Sequence, residues 1–404
     1  MHSIRRIAVI SFALFLSSCG PPFRYDRSAH LDRVYEGNDN LYIDSPALSR
    51  DGRRLLFEFY ERLSERERTR YRIALYDIEE LSVRIIESPD PRIDWYHPSF
   101  KASGEAFTLI SACRYQSCSP ERSGANIATF DLRSSMFQVV TTSGKQEYMW
   151  HKPYGPGPLT LVPISLNRTS PVYAKSGMEV YYLGSRSIPL FERDERNFTV
   201  RKVDLSSGKD EILLNEESGV AYFVGDGSIA VSGDHGLIIF GGFGIGASRD
   251  PAFRKNEVFG YLYDTDRHEV SALLQRSDLP EPDFRRSPKT DSLSASLDGK
   301  RIAYIAGRSF ELVILREGRR QRVVATLDEL ETQSLGDIAL SGDGKRLVIF
   351  GSPLHAPGDL SYLWVIDLET GERRRLPLAA TLRAAIDNRN EGNQEVERLG
   401  FRLR

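Results

Sequence analysis

The chemistry open to this 404-residue chain rests on seven His, three Cys and 56 Asp and Glu. A metal centre needs ligands at set spacings, and neither a His-Glu-x-x-His pairing nor a paired Cys spacing occurs, so no metal and no cofactor is expected. No Gly-x-Ser-x-Gly elbow is present and no hydrolase domain follows, which excludes the usual α/β-hydrolase nucleophile. Glycosidases need only two carboxylates brought together across a fold, and sequence spacing cannot reveal such a pair. Cys113 and Cys118 stand five apart at the tip of an expected hairpin, where they can close a small disulfide loop. Redox catalysis would instead use Cys-x-x-Cys in a thioredoxin-like setting, which is absent. Gly241-Gly-Phe-Gly-Ile-Gly-Ala247 looks like a dinucleotide loop, but Ser248-Arg-Asp-Pro251 follows where a helix should open, so it reads as a hairpin loop. Gln146 to Pro158 reads as a proline-stiffened loop that brings Tyr148, Trp150, His151 and Tyr154 together beside Lys152, and Trp95 with Tyr96 makes a similar cluster. These aromatics either cover the end of a packed sheet or stack on a sugar or clamp a peptide.

Composition sets outer limits. The chain is 40% apolar and 27% charged, with 54 Lys and Arg against 56 acids for a net charge of −2. That is ordinary globular usage with no basic excess, so no nucleic-acid partner is expected.

Residues 1–20, MHSIRRIAVISFALFLSSCG, place Arg5 and Arg6 before an apolar stretch from Ile7 to Leu16. That stretch is too short to span a bilayer as a mature helix, and the layout is that of a secretory signal. Leu16-Ser17-Ser18-Cys19 resembles the bacterial lipobox, which implies cleavage after residue 18 and a diacylated Cys19. Two or more acyl chains give stable membrane attachment. Loss of Arg5 and Arg6 leaves 52 basic against 56 acidic residues, or −4. Gly20, rather than Asp, follows the Cys, which by the same resemblance favours the outer membrane, facing the periplasm.

One pattern recurs six times along the chain. Ser45-Pro-Ala-Leu-Ser-Arg-Asp-Gly52 returns as His97-Pro-Ser-Phe-Lys-Ala-Ser-Gly104 and Ser170-Pro-Val-Tyr-Ala-Lys-Ser-Gly177. Weaker copies end on Gly236, Gly299 and Gly344, each followed by a β-branched or aromatic run. A second signal follows each turn, as in Leu75-Tyr-Asp-Ile78, Val203-Asp-Leu205 and Val365-Ile-Asp-Leu368; the fifth copy carries Arg316 in place of the Asp. Strand, Gly turn, strand, strand, polar turn, strand gives four strands per unit. The fold class expected is therefore all-β, a six-bladed β-propeller.

The repeat resembles that of TolB-like six-bladed propellers, Ser-Pro-x-x-Ser-x-Asp-Gly-Lys-x-Ile-x-Phe, over about residues 44 to 376. The resemblance implies a periplasmic adaptor that receives a partner's extended segment, without catalysis. The domain plan expected is a signal over 1–18, an anchor and lead-in over 19–43, the propeller over 44–378 and a tail over 379–404 with a brief helical pattern. The function expected is a membrane-anchored module that binds a protein or cell-envelope component; the alternative is a carbohydrate-binding or glycan-cleaving propeller.

Overall fold

The computed structural model describes residues 41–61, 71–113, 125–141, 147–151, 160–187, 198–214, 228–232, 236–240, 258–275, 289–306, 311–316, 319–326, 329–330, 332–353 and 362–398. All of them fall in one contact unit. Cys19 and the signal, Cys118, Tyr154 and the glycine run after residue 240 lie outside the described residues.

The strands form six antiparallel sheets, each made of consecutive strands. Blade one is Leu41–Leu48 (β1), Arg54–Glu61 (β2), Arg72–Asp77 (β3) and Ser82–Ile86 (β4); blade two is Ile93–Phe100 (β5), Ala106–Cys113 (β6), Asn126–Asp131 (β7) and Phe137–Val139 (β8). Blade three is Glu147–His151 (β9), Thr160–Tyr173 (β10), Glu179–Ser187 (β11), Phe198–Asp204 (β12) and Asp210–Leu214 (β13). Blade four is Ser228–Ser232 (β14), Gly236–Phe240 (β15), Val258–Asp264 (β16) and Glu269–Gln275 (β17). Blade five is Lys289–Ala295 (β18), Arg301–Ala306 (β19), Glu311–Arg316 (β20) and Arg319–Ala325 (β21). Blade six is Thr332–Leu340 (β22), Arg346–Pro353 (β23), Tyr362–Asp367 (β24) and Arg373–Leu376 (β25), followed by the helix Leu378–Arg398 (α1). The lead strands touch in cyclic order, β1 to β5, β5 to β10, β10 to β14, β14 to β18, β18 to β22 and β22 back to β1. That closed circuit makes the fold a six-bladed propeller.

The repeated turn has a local cause. Ser49 donates its hydroxyl to Asp51 Oδ1 (2.7 Å) and accepts the Arg54 N–H (2.9 Å), while Asp51 Oδ1 accepts the Arg53 N–H (3.1 Å). Ser296 with Asp298 and Ser341 with Asp343 repeat this network. Burial of Asp51 opposes its charge, but these donors prevail and hold the carboxyl below its usual range. Gly52 sits at φ 70°, and a Cβ there would lie 2.7 Å from Arg346 Cδ. Both the backbone angle and the space therefore require glycine. The second repeat signal is also a turn: Asp204 Oδ1 accepts the N–H groups of Ser206 and Ser207, and Asp77, Asp131, Asp264 and Asp367 do the same in their blades.

The core lies between blades. β2 is buried along Leu55 to Phe59 because both its faces are covered. Leu55, Phe57 and Phe59 pack toward blade six, and Leu56 packs toward blade two. This is why the second strands read as continuous apolar runs rather than alternating ones. Arginines add clasps between adjacent turns: Arg54 donates to Gly104 O (2.9 Å), Arg301 to Gly344 O (2.6 Å) and Arg346 to Gly52 O (3.4 Å).

Among the described residues every blade is built from consecutive strands, and none is exchanged where blade six meets blade one. Side chains and α1 close that seam instead. Phe57 meets Phe350 edge to face at 6.1 Å, and Leu378, Ala379, Leu382 and Ile386 of α1 join the same buried cluster. Glu79 pairs with both Arg346 (2.7 Å) and Arg374 (3.2 Å), and Arg389 of α1 pairs with Glu87. The tail expected as a brief helical pattern is thus a 21-residue helix packed against β4 and β24. Among the described residues no helix is long and apolar enough to cross a membrane.

Candidate functional site

The lead strands of all six blades surround one cavity of about 390 Å³ on the axis, lined by residues that include Asp44, Ser45, His97, Ser99, Tyr173, Ala230, Ser294 and Asp337. Its polar wall arises from a backbone irregularity repeated from blade to blade. The register of β1 slips between Asp44 and Ala47, that of β5 between Tyr96 and Ser99, that of β10 between Thr169 and Val172, and that of β22 between Leu335 and Ile338. Each slip is a β-bulge at the first position of the repeat, occupied by Ser45, His97, Ser170 and Asp337. β14 alone among these lead strands keeps a regular register.

Ser45 and His97 each precede a proline, which disfavours the right-handed helical region, and both adopt φ 51°. Left-handed backbone at a non-glycine residue costs roughly 1–3 kcal/mol, so the surroundings must hold it. They do so through hydrogen bonds that run from blade to blade. The Ser45 N–H donates to Asp44 Oδ1 (2.9 Å) and to Asp337 Oδ2 of blade six (3.2 Å). Ser45 Oγ lies 3.0 Å from His97 Nδ1 of blade two. The His97 N–H donates to Glu58 Oε2 at 2.5 Å.

Glu58 is buried on β2, directly across from Asp44 in the register. Burial pushes its carboxyl above the usual range, the His97 charge and N–H pull the other way, and the Asp44 charge adds to the rise. Ser45, His97 and Glu58 superficially form a hydrolytic triad. The wiring does not carry a relay, because Ser45 and Glu58 both approach Nδ1 of His97, the carboxylate at 3.9 Å. A relay uses opposite ring nitrogens for nucleophile and acid. Among the described residues no group of three or more His, Cys, Asp and Glu is placed to hold a metal.

A row of aromatic rings leads away from His97. Tyr96 meets His97 at 5.3 Å, Tyr71 meets Tyr96 at 6.0 Å, Tyr60 meets Tyr71 at 4.6 Å, and Tyr42 stacks on Tyr60 at 4.7 Å with rings 4° from parallel. The four tyrosines are partly exposed.

The aromatic residues singled out from the sequence divide differently. Trp95 is a correction: it is fully buried, stacked on Phe137 at 4.7 Å and edge-on to Phe130, so it belongs to the core between blades one and two and reaches no ligand. Tyr96, its neighbour on the opposite side of β5, is partly buried against the core between blades two and three and meets Tyr71 in the tyrosine row. Tyr148, Trp150 and His151 were expected in a loop, but they lie on β9, which pairs with Thr160–Ile164 of β10. Blade three thereby gains a fifth strand. Cys113 ends β6, and its expected partner lies outside the described residues.

Asp44, Ser45, Glu58, Asp337, Tyr42, Tyr60 and Tyr71 escaped the sequence reading as site residues. Ser45, His97 and Asp337 occupy one column of the repeat, and the signal was that this column varies in chemistry while the turn beside it stays constant.

No family model matches the chain, and no curated protein sequence does either. Several solved structures resemble it. Oligogalacturonate lyase in complex with manganese is 14% identical, with 83% of this chain and 77% of that one covered at a TM-score of 0.49. TolB from Acinetobacter baumannii is 13% identical, with 88% and 70% covered at 0.49. The β-propeller domain of the Trilobed protease from Pyrococcus furiosus is 11% identical, with 84% and 83% covered at 0.43.

Proposed function

We infer that this protein is a cell-envelope lipoprotein whose propeller binds a protein or envelope component at the axial channel, without catalysis. The observation that carries the reading is the cavity of about 390 Å³ walled by all six lead strands, with Asp337, Ser45 and His97 of adjacent blades linked in its wall. A concave site with a few converging polar groups is the usual form of a binding pocket. In this reading Cys19 carries the lipid, the mature chain faces the periplasm from the outer membrane, and Cys113 bridges Cys118 to fix the end of β6. Crosslinking in native membranes followed by mass spectrometry tests it. A specific captured protein supports the reading; capture of none, with retention of the protein on a polysaccharide column, opposes it.

A second reading is a carbohydrate-binding or glycan-cleaving propeller. It is favoured by Asp44 and Asp337 sharing one N–H donor close to stacked tyrosines, since sugars are held by carboxylates beside aromatic faces. Turnover of a glycan that is lost in Asp44→Asn or Asp337→Asn would make this reading the right one.

A further inference from the structure

Glu58 is a buried carboxyl whose ion-pair partner, among the described residues, is His97 alone. A buried carboxyl paired with Arg or Lys keeps one charge state at every ordinary pH. One paired with an imidazole does not, because histidines change charge between about pH 5 and 8 and the two groups titrate together. The link between them runs through Ser45. Ser45 Oγ lies 3.0 Å from His97 Nδ1, its hydroxyl also hydrogen-bonds the Glu58 carboxyl, and that carboxyl stands 3.9 Å from the same ring nitrogen. One hydroxyl hydrogen cannot serve two acceptors. A hydrogen on Nδ1 removes the conflict: Nδ1–H donates to Ser45 Oγ, and Ser45 O–H donates to Glu58. The wiring that fails to activate Ser45 as a nucleophile thus fixes the tautomer of His97 and leaves the ring's lone pair at Nε2. The ring lines the cavity with 36% of its side chain exposed, and Nε2 has no hydrogen-bond partner among the described residues.

We propose that Glu58, Ser45 and His97 form a proton-operated switch in the channel wall, in which His97 Nε2 takes a proton as pH falls and the ring changes from hydrogen-bond acceptor to cationic donor. The proton comes from solvent, one N–H bond forms at Nε2, and no bond in the Nδ1–Ser45–Glu58 chain breaks. The Glu58 and His97 pair goes from one negative charge to none. The coupling shows at Glu58 too, where the His97 charge pulls the carboxyl down against the effect of burial. Other groups around the ring reinforce it or stand aside. Asp44 of β1 and Asp337 of β22, both bonded to the Ser45 N–H, favour the imidazolium. On β5 itself, Asp94 accepts the Tyr71 N–H (2.8 Å) and Tyr96 packs on the ring. Arg72 of β3 is held by Glu61 (2.8 Å), and burial pushes the Tyr173 hydroxyl of β10 up and keeps it neutral. β6 places Thr108 and Ile110 beside the bulge and brings no charge there. The consequence for binding rests on the reading of the channel as the ligand site: a ligand acceptor facing His97 is held below the transition and released above it.

The test follows the ¹⁵N imidazole resonances of the full-length detergent-solubilised protein across pH, with the His97 ring assigned through His97→Gln. The wild type is expected to show the Nδ1–H tautomer at high pH and protonation at Nε2 as pH falls. Glu58→Gln keeps an oxygen for Ser45 but loses the charge, so the tautomer persists while the affinity of Nε2 for its proton drops about tenfold or more. Ser45→Ala cuts the chain, and the Nδ1–H preference is lost. Unfolding midpoints show that the variants fold, and the wild-type tautomer needs no variant. An Nε2–H tautomer in the wild type, or a proton affinity within about twofold of wild type in folded Glu58→Gln, overturns the proposal. In native membranes, the adduct from a photoreactive residue at Ser99 should differ about threefold or more in yield between about pH 5.5 and 7.5, and this difference should vanish in Glu58→Gln. Equal yield at both pH values overturns control of binding by the switch. No adduct at either pH strikes the channel reading instead, and the imidazole result alone then decides the switch.

Discussion

At the scale of single residues, the structure makes two sharp demands. The first is at Gly52, where positive φ and the Arg346 side chain together leave no place for a Cβ. Gly52→Ala should cost about 1–3 kcal/mol, read as a lower midpoint in denaturant unfolding, while the same change at Gly208, whose nearest atom to a Cβ is 3.7 Å away, should cost less despite a similar φ. The second is at Glu58, whose carboxyl is raised above 4.5 by burial. A carboxyl that binds its proton more tightly when folded stabilises the fold below its unfolded pKa, and that contribution disappears as pH rises through the folded value. Stability should therefore fall as pH climbs above about 4.5 on account of this group, and Glu58→Gln should flatten that part of the profile while its amide oxygen still accepts the His97 N–H. A decline of equal slope in the variant would show that Glu58 is not its source. Of these residues, Gly52 was legible in the repeat because a turn glycine is a local requirement. Glu58 was not, because nothing in a run of apolar strand residues says which acid a neighbouring blade will cover.

Among the elements, the four-strand unit was readable throughout, since each strand is bounded by turns whose hydrogen bonds are local. Three features were not. The hairpin of β9 with β10 was read as a loop because Pro153, Pro156 and Pro158 suggested irregular chain, and the strand stops at His151, just short of them. The helix α1 continues to Arg398 through polar residues whose only pattern is helix propensity, so its length was hidden. Its role was hidden as well, because the contact with blade one joins residues about 300 apart in sequence, as in Arg389 with Glu87. α1 packs across the seam between blades six and one and helps close the ring. Leu382→Ala, deleting a fully buried side chain at the seam, should cost about 2–4 kcal/mol. Hydrogen exchange should then quicken first in β1 to β4 and β22 to β25 and leave β10 to β13 protected. Uniform acceleration across all six blades would mean that the seam is not the weak point.

For the whole molecule, fold and function separate. Repetition specifies the propeller because every unit buries its faces against its neighbours, so the pattern is over-determined. The channel wall includes one variable repeat residue from each of blades six, one and two, and its chemistry emerges only when Asp337, Ser45 and His97 are brought side by side by ring closure. The proposed lipid anchor belongs to this scale too: Cys19→Ala should leave the protein in the soluble fraction after cell disruption, and continued sedimentation with membranes would rule out the lipid as its anchor. The most direct test of the channel as the binding site is site-specific photocrosslinking in native membranes. A photoreactive residue placed at Ser99 or Ala230, both lining the cavity, is compared with one at Val139, exposed on the outer strand of blade two. The account predicts one discrete adduct, the same from both channel positions and absent from Val139. An adduct formed from Val139 and from neither channel position would contradict it.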